Sequence, residues 1–299
     1  MADPNKPDAG ASPPLPQLSA ALATLVAGAA PYIVSVLSHR SRASGFVWRP
    51  GLIVTASEAL AEEGEIAVVL PGGERLPATL AGRDPTTDIA LLRINRIDVP
   101  QSTLATEPVA PGALAVTVGA RDGVPVAALG IVSLSGPAWR SLRGGEIDAR
   151  IEVDARLSRA AEGGLAVDAA GRAFGMVVFG PRRRVLIIPS ATIERVAAKL
   201  EAHGRVARGY VGLGLQPVKL DDGGIGVMAM SVDPKGPAAT AGIRQGDVIV
   251  ALNGQQIRAV PALWRALGPD SGGTTVTLSL RRAGEPVEVS VTIGERPQA

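Results

Sequence analysis

The stretch that decides the fold runs from Gly82 to Leu92 and reads Gly-Arg-Asp-Pro-Thr-Thr-Asp-Ile-Ala-Leu-Leu. Six of its first seven positions, all but Arg83, hold Gly, Asp, Pro or Thr, which are residues that favour turns. Four apolar residues, Ile89 to Leu92, follow at once, as is typical of a short buried strand. The stretch therefore predicts a turn followed by a strand, a unit that repeats along much of the chain.

Short apolar runs broken by turn signals extend on both sides of this stretch. They comprise residues 32–36, 45–48, 52–54, 66–70, 89–92, 114–118, 131–134, 151–153, 174–178 and 185–188. Because many short strands follow one another without helices between them, an antiparallel barrel or sandwich is favoured over a parallel sheet. The first clear helix begins near Pro189 and Ser190, where apolar residues take up a helical period.

Composition narrows the classes of function. The chain has 299 residues, enough for two domains, and only 3% of them are aromatic, so the cores must be built from Val, Leu, Ile and Ala. The net charge is +2, and the one clear basic run, Arg182 to Arg184, has no interleaved aromatic residues, which argues against nucleic-acid binding. Since there is no cysteine, thiol catalysis, disulfides and thiolate metal sites are excluded. We expect neither a cofactor nor a metal.

The ends of the chain suggest its organisation and location. We predict a disordered tail over residues 1–16, a first domain over 17–203, a linker over 204–208 and a second domain over 209–296. No secretory signal pattern is visible at the N-terminus, so a cytoplasmic location is the default expectation. Residues 15–37 carry no charge and are about long enough to span a bilayer, but Pro31 and Ser35 favour an amphipathic helix followed by a strand.

Three segments resemble the HtrA/Deg-type family of trypsin-like serine proteases. Residues 53–60, Ile-Val-Thr-Ala-Ser-Glu-Ala-Leu, are similar to the family segment Ile-Val-Thr-Asn-x-His-Val-Val and place Glu58 at the general-base histidine. Residues 82–92 are similar to Gly-x-Asp-x-x-Thr-Asp-Leu-Ala-Val-Leu and place Asp88 at the triad aspartate. Residues 154–166 resemble the nucleophile segment and place Glu162 at the serine. The resemblance implies a mainly β fold, a trypsin-like double six-stranded barrel followed by a PDZ domain.

These substitutions change the chemistry that the resemblance implies. A serine protease needs a hydroxyl to attack, an imidazole to move its proton and an aspartate to orient the imidazole. A free glutamate titrates near about 4.3, so Glu58 would be a weak base, and Glu162 cannot form an alkoxide. The oxyanion hole is affected too, since Ala160 replaces a family glycine and Glu162 supplies the second amide. We predict no catalytic residue with confidence.

Other groups near these positions leave several alternatives open. The only two histidines, His39 and His203, are expected to be structural or exposed, and Ser57 and Ser158 are not expected to be nucleophiles. Three neighbouring carboxylates would repel one another. A hard cation such as Ca²⁺ or Mg²⁺ would relieve the repulsion, as would one protonated carboxyl with a raised pKa, or pairing of Glu162 with Arg156 and Arg159. Arginine pairing or solvent exposure is the favoured expectation.

The second region resembles an HtrA-type PDZ domain. Residues 209–215, Gly-Tyr-Val-Gly-Leu-Gly-Leu, are similar to its carboxylate-binding loop and first strand, and residues 246–254 to its most typical strand and turn. The resemblance implies that a peptide C-terminus adds as a strand beside this segment. The predicted peptide-binding residues are Tyr210, Val211, Gly212, Leu213, Leu215, Val260, Leu263, Trp264 and Leu267. For Val260 and Leu267, a place in the domain core is an equal alternative.

The sequence thus predicts a noncatalytic protease homologue that serves as a binding scaffold in protein quality control or regulation, with a PDZ domain for C-termini or extended segments. The alternative is a serine-type endopeptidase-like hydrolase that works through its carboxylate cluster. A chaperone-like holdase or a regulatory subunit of an active relative is a third reading. The resemblance also allows a homotrimer built through residues 18–36, a hetero-oligomer, and a periplasmic or membrane-anchored location.

Overall fold

The computed structural model describes residues 14–39, 41–206, 209–220, 223–266 and 271–295. Leu267 of the predicted peptide pocket and residues 1–13 of the predicted tail lie outside these ranges. The chain divides into two compact units. The first holds the strands of two barrels, and the second holds a C-terminal sheet domain, with residues 83–87 and 138–148 grouped with the second unit.

A closed six-stranded barrel opens the first unit, with the strand order β1-β2-β3-β6-β5-β4. Its strands are β1 (Ile33–Ser38), β2 (Ser41–Arg49), β3 (Leu52–Ala56), β4 (Ile66–Val69), β5 (Arg75–Asp84) and β6 (Ile89–Ile94). The barrel core is aliphatic, as the composition predicts; Val34, Ile53 and Leu92 are fully buried in it. The strand β5 was not predicted because its apolar residues are interrupted by Pro77 and Thr79. It extends through Gly82 to Asp84, so the predicted turn is confined to the residues after Asp84.

A second closed barrel follows, with the strand order β11-β14-β13-β12-β7-β8. Its strands are β7 (Leu114–Arg121), β8 (Val124–Gly136), β11 (Arg150–Asp154), β12 (Leu165–Asp168), β13 (Ala173–Phe179) and β14 (Val185–Pro189), and a small hairpin is formed by β9 (Trp139–Arg140) and β10 (Glu146–Ile147). Two closed six-stranded barrels in succession confirm the predicted trypsin-like fold.

Two helices flank the barrels. The helix α1 (Pro14–Ala29) begins inside the predicted tail, because proline is tolerated in the first turn of a helix, where backbone N–H groups lack intrahelical partners. Within the described ranges, no helix is long and apolar enough to cross a membrane. The helix α2 (Ser190–His203) begins at the predicted position and is tied to β2 by a hydrogen bond of 2.8 Å from Trp48 Nε1 to Glu194 Oε1.

The C-terminal domain is built on a sheet of order β16-β17-β18-β20-β21, with β19 paired to β18. Its strands are β15 (Gly209–Tyr210), β16 (Leu213–Lys219), β17 (Ile225–Val232), β18 (Val248–Leu252), β19 (Gln255–Gln256), β20 (Thr275–Arg282), β21 (Glu285–Thr292) and β22 (Gly294–Glu295), and its helices are α3 (Pro237–Thr240) and α4 (Val260–Ala266). The strand β16 pairs only with β17 along this sheet and is therefore an edge strand. This edge is where the sequence predicts that a peptide adds.

Candidate functional site

The turn before β6 positions Asp88. The buried Asp84 carboxylate accepts hydrogen bonds from the Thr86 amide at 3.0 Å and from the hydroxyls of Thr86 and Thr87 at 2.6 and 2.8 Å. The chain then passes through Asp88 in the left-handed region, with φ of 58°. Aspartate tolerates this region better than most residues. The motif predicted to contain the triad aspartate is therefore a turn held by its own hydrogen bonds to Asp84, and this turn fixes the backbone conformation at Asp88.

Asp88 is joined to Glu58 through the backbone of Glu58. Asp88 Oδ1 accepts a hydrogen bond of 2.7 Å from the amide of Glu58, and the amide of Ser57 donates to the Asp88 carbonyl at 3.2 Å. The Glu58 side chain lies in a short 3₁₀ helix after β3 and is exposed. An ionised glutamate has no N–H for Asp88 to orient, so this pair cannot act as the aspartate–imidazole pair of a serine protease.

Glu162 lies within electrostatic range of Glu58 and is partly buried. Burial and the nearby negative charge of Glu58 raise the pKa of the Glu162 carboxyl, and the positive charges of Arg159 and Arg183 and a hydrogen bond from the Phe179 amide oppose that rise. Among the described residues, Glu162 forms no ion pair with either arginine. The favoured expectation, arginine pairing or solvent exposure, stays a prediction; Arg159 attracts the Glu162 carboxylate electrostatically. The same ranges contain no group of three or more His, Asp or Glu side chains arranged to hold a metal ion.

The two amides at the predicted oxyanion-hole positions are both occupied by groups of the protein itself. Residues 159–161 form a 3₁₀ helix whose N-cap is Ser158. The amide of Ala160 donates to Ser158 Oγ at 3.1 Å, and the amide of Glu162 donates to the carbonyl of Arg159 at 3.1 Å. An oxyanion hole needs free amides aimed at the site of the developing charge. In this conformation neither amide is available to a substrate.

Ser44 of the first barrel holds this loop in place, and sequence reasoning missed it. The amide of Ser44 donates to the Glu162 carbonyl at 2.7 Å, and its hydroxyl accepts from the Ala120 amide at 2.8 Å and donates to the Ala160 carbonyl. Gly163 has a φ of 82°, and a Cβ there would lie 2.2 Å from the Ser44 carbonyl oxygen. A serine inside a strand is common, so no signal in the sequence distinguishes Ser44.

The other candidate nucleophiles and bases have structural or exposed positions, as expected. His39 follows β1 and His203 ends α2, and both are exposed. Ser57 is 4% exposed and its amide is bonded to Asp88. Ser158 caps the 3₁₀ helix. None of the four is placed beside a proton acceptor in the way that a serine nucleophile requires.

The predicted peptide-binding residues divide between the core and the surface of the C-terminal domain. Leu213 and Leu263 belong to the buried core, and Leu215 and Val260 are partly buried against it. The Trp264 side chain on α4 is 39% exposed. Tyr210 donates from its hydroxyl to Asp233 Oδ2 at 2.6 Å, and this bond lowers the pKa of Asp233.

The predicted carboxylate-binding loop lies just before β16. The Gly212 carbonyl accepts from the Asp233 amide at 2.8 Å, and the Val211 carbonyl accepts from the Ala238 amide at 2.8 Å. Gly212 has a φ of 77°. Within the described ranges, the amides of Val211 and Gly212 have no hydrogen-bond acceptor. Neither amide is therefore engaged by another described residue.

Comparison with known proteins agrees with both domains. Residues 43–176 match the trypsin-like peptidase domain and residues 211–293 match the PDZ domain. The probable periplasmic serine endoprotease DegP-like of Bartonella henselae is 34% identical over 285 residues, covering 87% of this chain and 55% of the relative. Its namesake in Brucella suis is 33% identical over 275 residues, covering 86% of this chain and 53% of the relative. The crystal structure of the serine endoprotease from Yersinia pestis is 28% identical, with a TM-score of 0.70 and coverage of 92% and 98%.

These relatives provide information on the cellular location and on the family of the chain. The chain spans about half the length of the curated relatives it matches, 55% of the first. Those relatives are named periplasmic, which gives no support to the expectation of a cytoplasmic location. The order of the matched domains, the two closed barrels and the three sequence segments agree with one another. The chain belongs to the HtrA/Deg-type family, in which a trypsin-like peptidase fold is followed by a PDZ domain.

Proposed function

We propose that this chain is a noncatalytic member of its family, a scaffold that captures peptides through its PDZ domain in protein quality control or regulation. Glutamate stands at the positions predicted for the histidine and the serine. At neutral pH the site then lacks a hydroxyl nucleophile and an imidazole, the two groups between which a serine protease moves a proton.

The observation that carries the proposal is the state of the oxyanion loop. Loss of a single oxyanion-hole donor costs a protease roughly 100- to 1000-fold in kcat. Here both donors are bonded internally, to Ser158 Oγ and to the Arg159 carbonyl. Loss of the nucleophile and loss of charge stabilisation are separate defects. Because each acts on the transition state, the residual rate would fall below that of a simple serine-to-alanine variant.

The PDZ domain supports the part of the proposal that concerns peptide binding. The edge strand β16 offers backbone groups to a peptide, and the free amides of Val211 and Gly212 lie where the terminal carboxylate would bind. Addition of a strand to a sheet edge is a recurrent mode of peptide recognition. We propose the periplasm as the location, because the relatives are named periplasmic, and an assembly either of three copies or with an active relative.

The decisive experiment measures cleavage of unfolded casein together with labelling by a fluorophosphonate probe. Wild type is compared with Glu58→His/Glu162→Ser, with the same variant carrying Ala160→Gly, and with Glu162→Ala. Glu65→Ala is the matched control, because Glu65 is an exposed glutamate at a loop position before β4. We expect no cleavage by wild type and no labelling of the double variant. Labelling should first emerge when glycine at 160 allows the loop to leave its 3₁₀ conformation.

The opposite outcome would identify an enzyme. If wild type cleaves casein and Glu162→Ala abolishes the cleavage while Glu65→Ala does not, the carboxylate cluster is a catalyst and the scaffold proposal is wrong. Cleavage that survives in Glu162→Ala would come from a contaminating protease or from a centre elsewhere in the chain. Activity of the double variant without Ala160→Gly would show that the oxyanion loop opens readily.

A further inference from the structure

The edge of the PDZ sheet contains a residue that cannot take part fully in strand addition. The strand β16 pairs on one side with β17, and its other side has no neighbour in the sheet. Pro217 lies within β16, opposite Val227. Proline has no backbone N–H, and in sheets it is confined to edge strands or bulges.

The direction in which each β16 backbone group points follows from the neighbouring hydrogen bonds. In β17, Ala229 donates to the Asp247 carbonyl at 2.8 Å and accepts from the Gly246 amide at 2.9 Å, so its backbone groups point away from β16. Backbone direction alternates along a strand, so Met228 points toward β16, where it lies opposite Gln216.

The direction of Gln216 fixes that of its neighbours in β16. Because backbone direction alternates along a strand, Gly214, Gln216 and Val218 point toward β17. Just before the strand, the Gly212 carbonyl also accepts from the amide of Asp233, the residue that follows β17, at 2.8 Å. The free edge is left to the backbone groups of Leu213, Leu215 and Pro217.

A peptide on this edge would meet those three residues in turn. With its carboxylate on the amides at the start of β16, its last residue lies opposite Leu213 and its third-last residue opposite Leu215. The fifth-last residue then lies opposite Pro217. There the carbonyl oxygen of the peptide finds no N–H donor, and the Cδ of the proline ring occupies the place of the missing hydrogen.

We propose that Pro217 weakens main-chain recognition upstream of the last three residues of the peptide, because it offers a carbonyl acceptor but no N–H donor, so that the PDZ domain selects mainly the last three residues of a C-terminus. This inference rests on the proposed peptide capture. A proline on an exposed strand edge also discourages edge-to-edge aggregation, and that role alone would make the gain in affinity with peptide length the same in wild type and in Pro217→Ala.

The test is isothermal titration of the full chain with peptides that share their last three residues. The probes are Val-Ala-Leu with a free carboxylate, its extension to Ser-Thr-Val-Ala-Leu, and a heptapeptide, with the terminal residue also varied over Ala, Val, Ile and Phe. Pro217→Ala is compared with wild type, with Pro217→Thr as a second, strand-compatible variant. Gln216→Ala is the control, because it alters an exposed side chain of β16 and leaves the edge donors unchanged. Thermal unfolding verifies that each variant folds.

We expect wild type to gain less affinity from the tripeptide to the pentapeptide than Pro217→Ala does. Pro217→Ala should bind the tripeptide as wild type does and the pentapeptide about threefold to tenfold more tightly, which is the effect of one added main-chain hydrogen bond. If wild type already gains affinity with length and Pro217→Ala adds nothing, the inference is overturned while peptide capture stands. If no peptide binds any variant, peptide capture itself is overturned, and the inference with it.

Discussion

Replacing Arg282 with alanine should destabilise the PDZ domain far more than the loss of an exposed charge would. The Asp247 side chain is only 2% exposed and receives Arg282 Nε and Nη2 at 2.8 Å each. Arg282 Nη2 also donates to the Gly242 carbonyl at 2.8 Å. Without the guanidinium, the buried carboxylate keeps the Arg244 amide at 2.8 Å as its remaining partner among these contacts.

The size of the effect follows from this geometry. Removing one partner of a fully buried ion pair costs about 3–5 kcal/mol, because the other charge stays buried and uncompensated. The Arg282 side chain is 29% exposed, so water can replace part of the interaction, and we expect about 2–4 kcal/mol. For a domain of this size such a loss lowers the Tm by roughly 10 °C or more.

Unfolding of the full chain in urea, followed by circular dichroism, measures the loss. Arg281→Ala is the matched control, because it removes the same charge from the exposed neighbouring position in β20. Arg282→Ala should shift the midpoint of the PDZ transition, and the shift for Arg281→Ala should stay within about 0.5 kcal/mol. Equal shifts for the two variants would refute the reasoning, since they would mean that Asp247 does not depend on Arg282.

The pH dependence provides a second check on the same pair. The side-chain hydrogen bond from Arg282 is the largest of the effects that hold the pKa of Asp247 below its ordinary value. A depressed carboxyl pKa stabilises the fold above the unfolded value of about 3.9, and this stabilisation disappears as the pH falls toward the folded value. The gap between wild type and Arg282→Ala should therefore be complete at neutral pH and narrow below about pH 4.

Three further predictions concern the substituted cleft. Glu162→Gln should stabilise the barrel domain at neutral pH, because the raised carboxyl pKa of Glu162 means that its charged form is unfavourable there; the gain should vanish below about pH 4 in urea unfolding at several pH values. Ser44→Ala should cost about 1–3 kcal/mol in the same assay, because the buried Ala120 amide and Ala160 carbonyl lose their partner, and a cost below about 0.5 kcal/mol would contradict that role. Gly163→Ala should yield little soluble protein, since its Cβ would meet a backbone oxygen at 2.2 Å, and wild-type yield and Tm would show that the loop is not held there.

Much of the fold could be predicted from the sequence, because each buried strand carries its own apolar run. The ten predicted runs all overlap observed strands, and the helix α2 begins where its period begins. The strands that were missed, such as β5 and β12 (Leu165–Asp168), lack a long apolar run, and they take their conformation from pairing with the neighbouring strands of their barrels. Pairing of that kind leaves no local periodicity to read.

The sequence predicted which residues form the candidate site. It did not predict the hydrogen bonds that those residues make. The segments around Glu58, Asp88 and Glu162 could be placed by motif, and the structure brings Asp88 to the Glu58 amide and Glu162 within electrostatic reach of Glu58. The exposure of Trp264 and the burial of Leu263 depend on how α4 packs. Helical spacing alone does not decide which of two adjacent apolar residues reaches the surface.

The oxyanion loop shows why the identity of a residue and the state of a site are different kinds of information. The residues at 160 and 162 determine which backbone donors exist. An amide that is present can still be hydrogen-bonded to an acceptor within the protein, as both are here. The 3₁₀ turn satisfies the Glu162 amide and its Ser158 cap satisfies the Ala160 amide, and glycine is not required to form such a turn. Alanine favours that turn because it resists the φ values that would free its amide. The substitution at 160 and the internal bonding of the two amides thus reinforce each other, so restoring the serine and the histidine alone should leave the cleft inert.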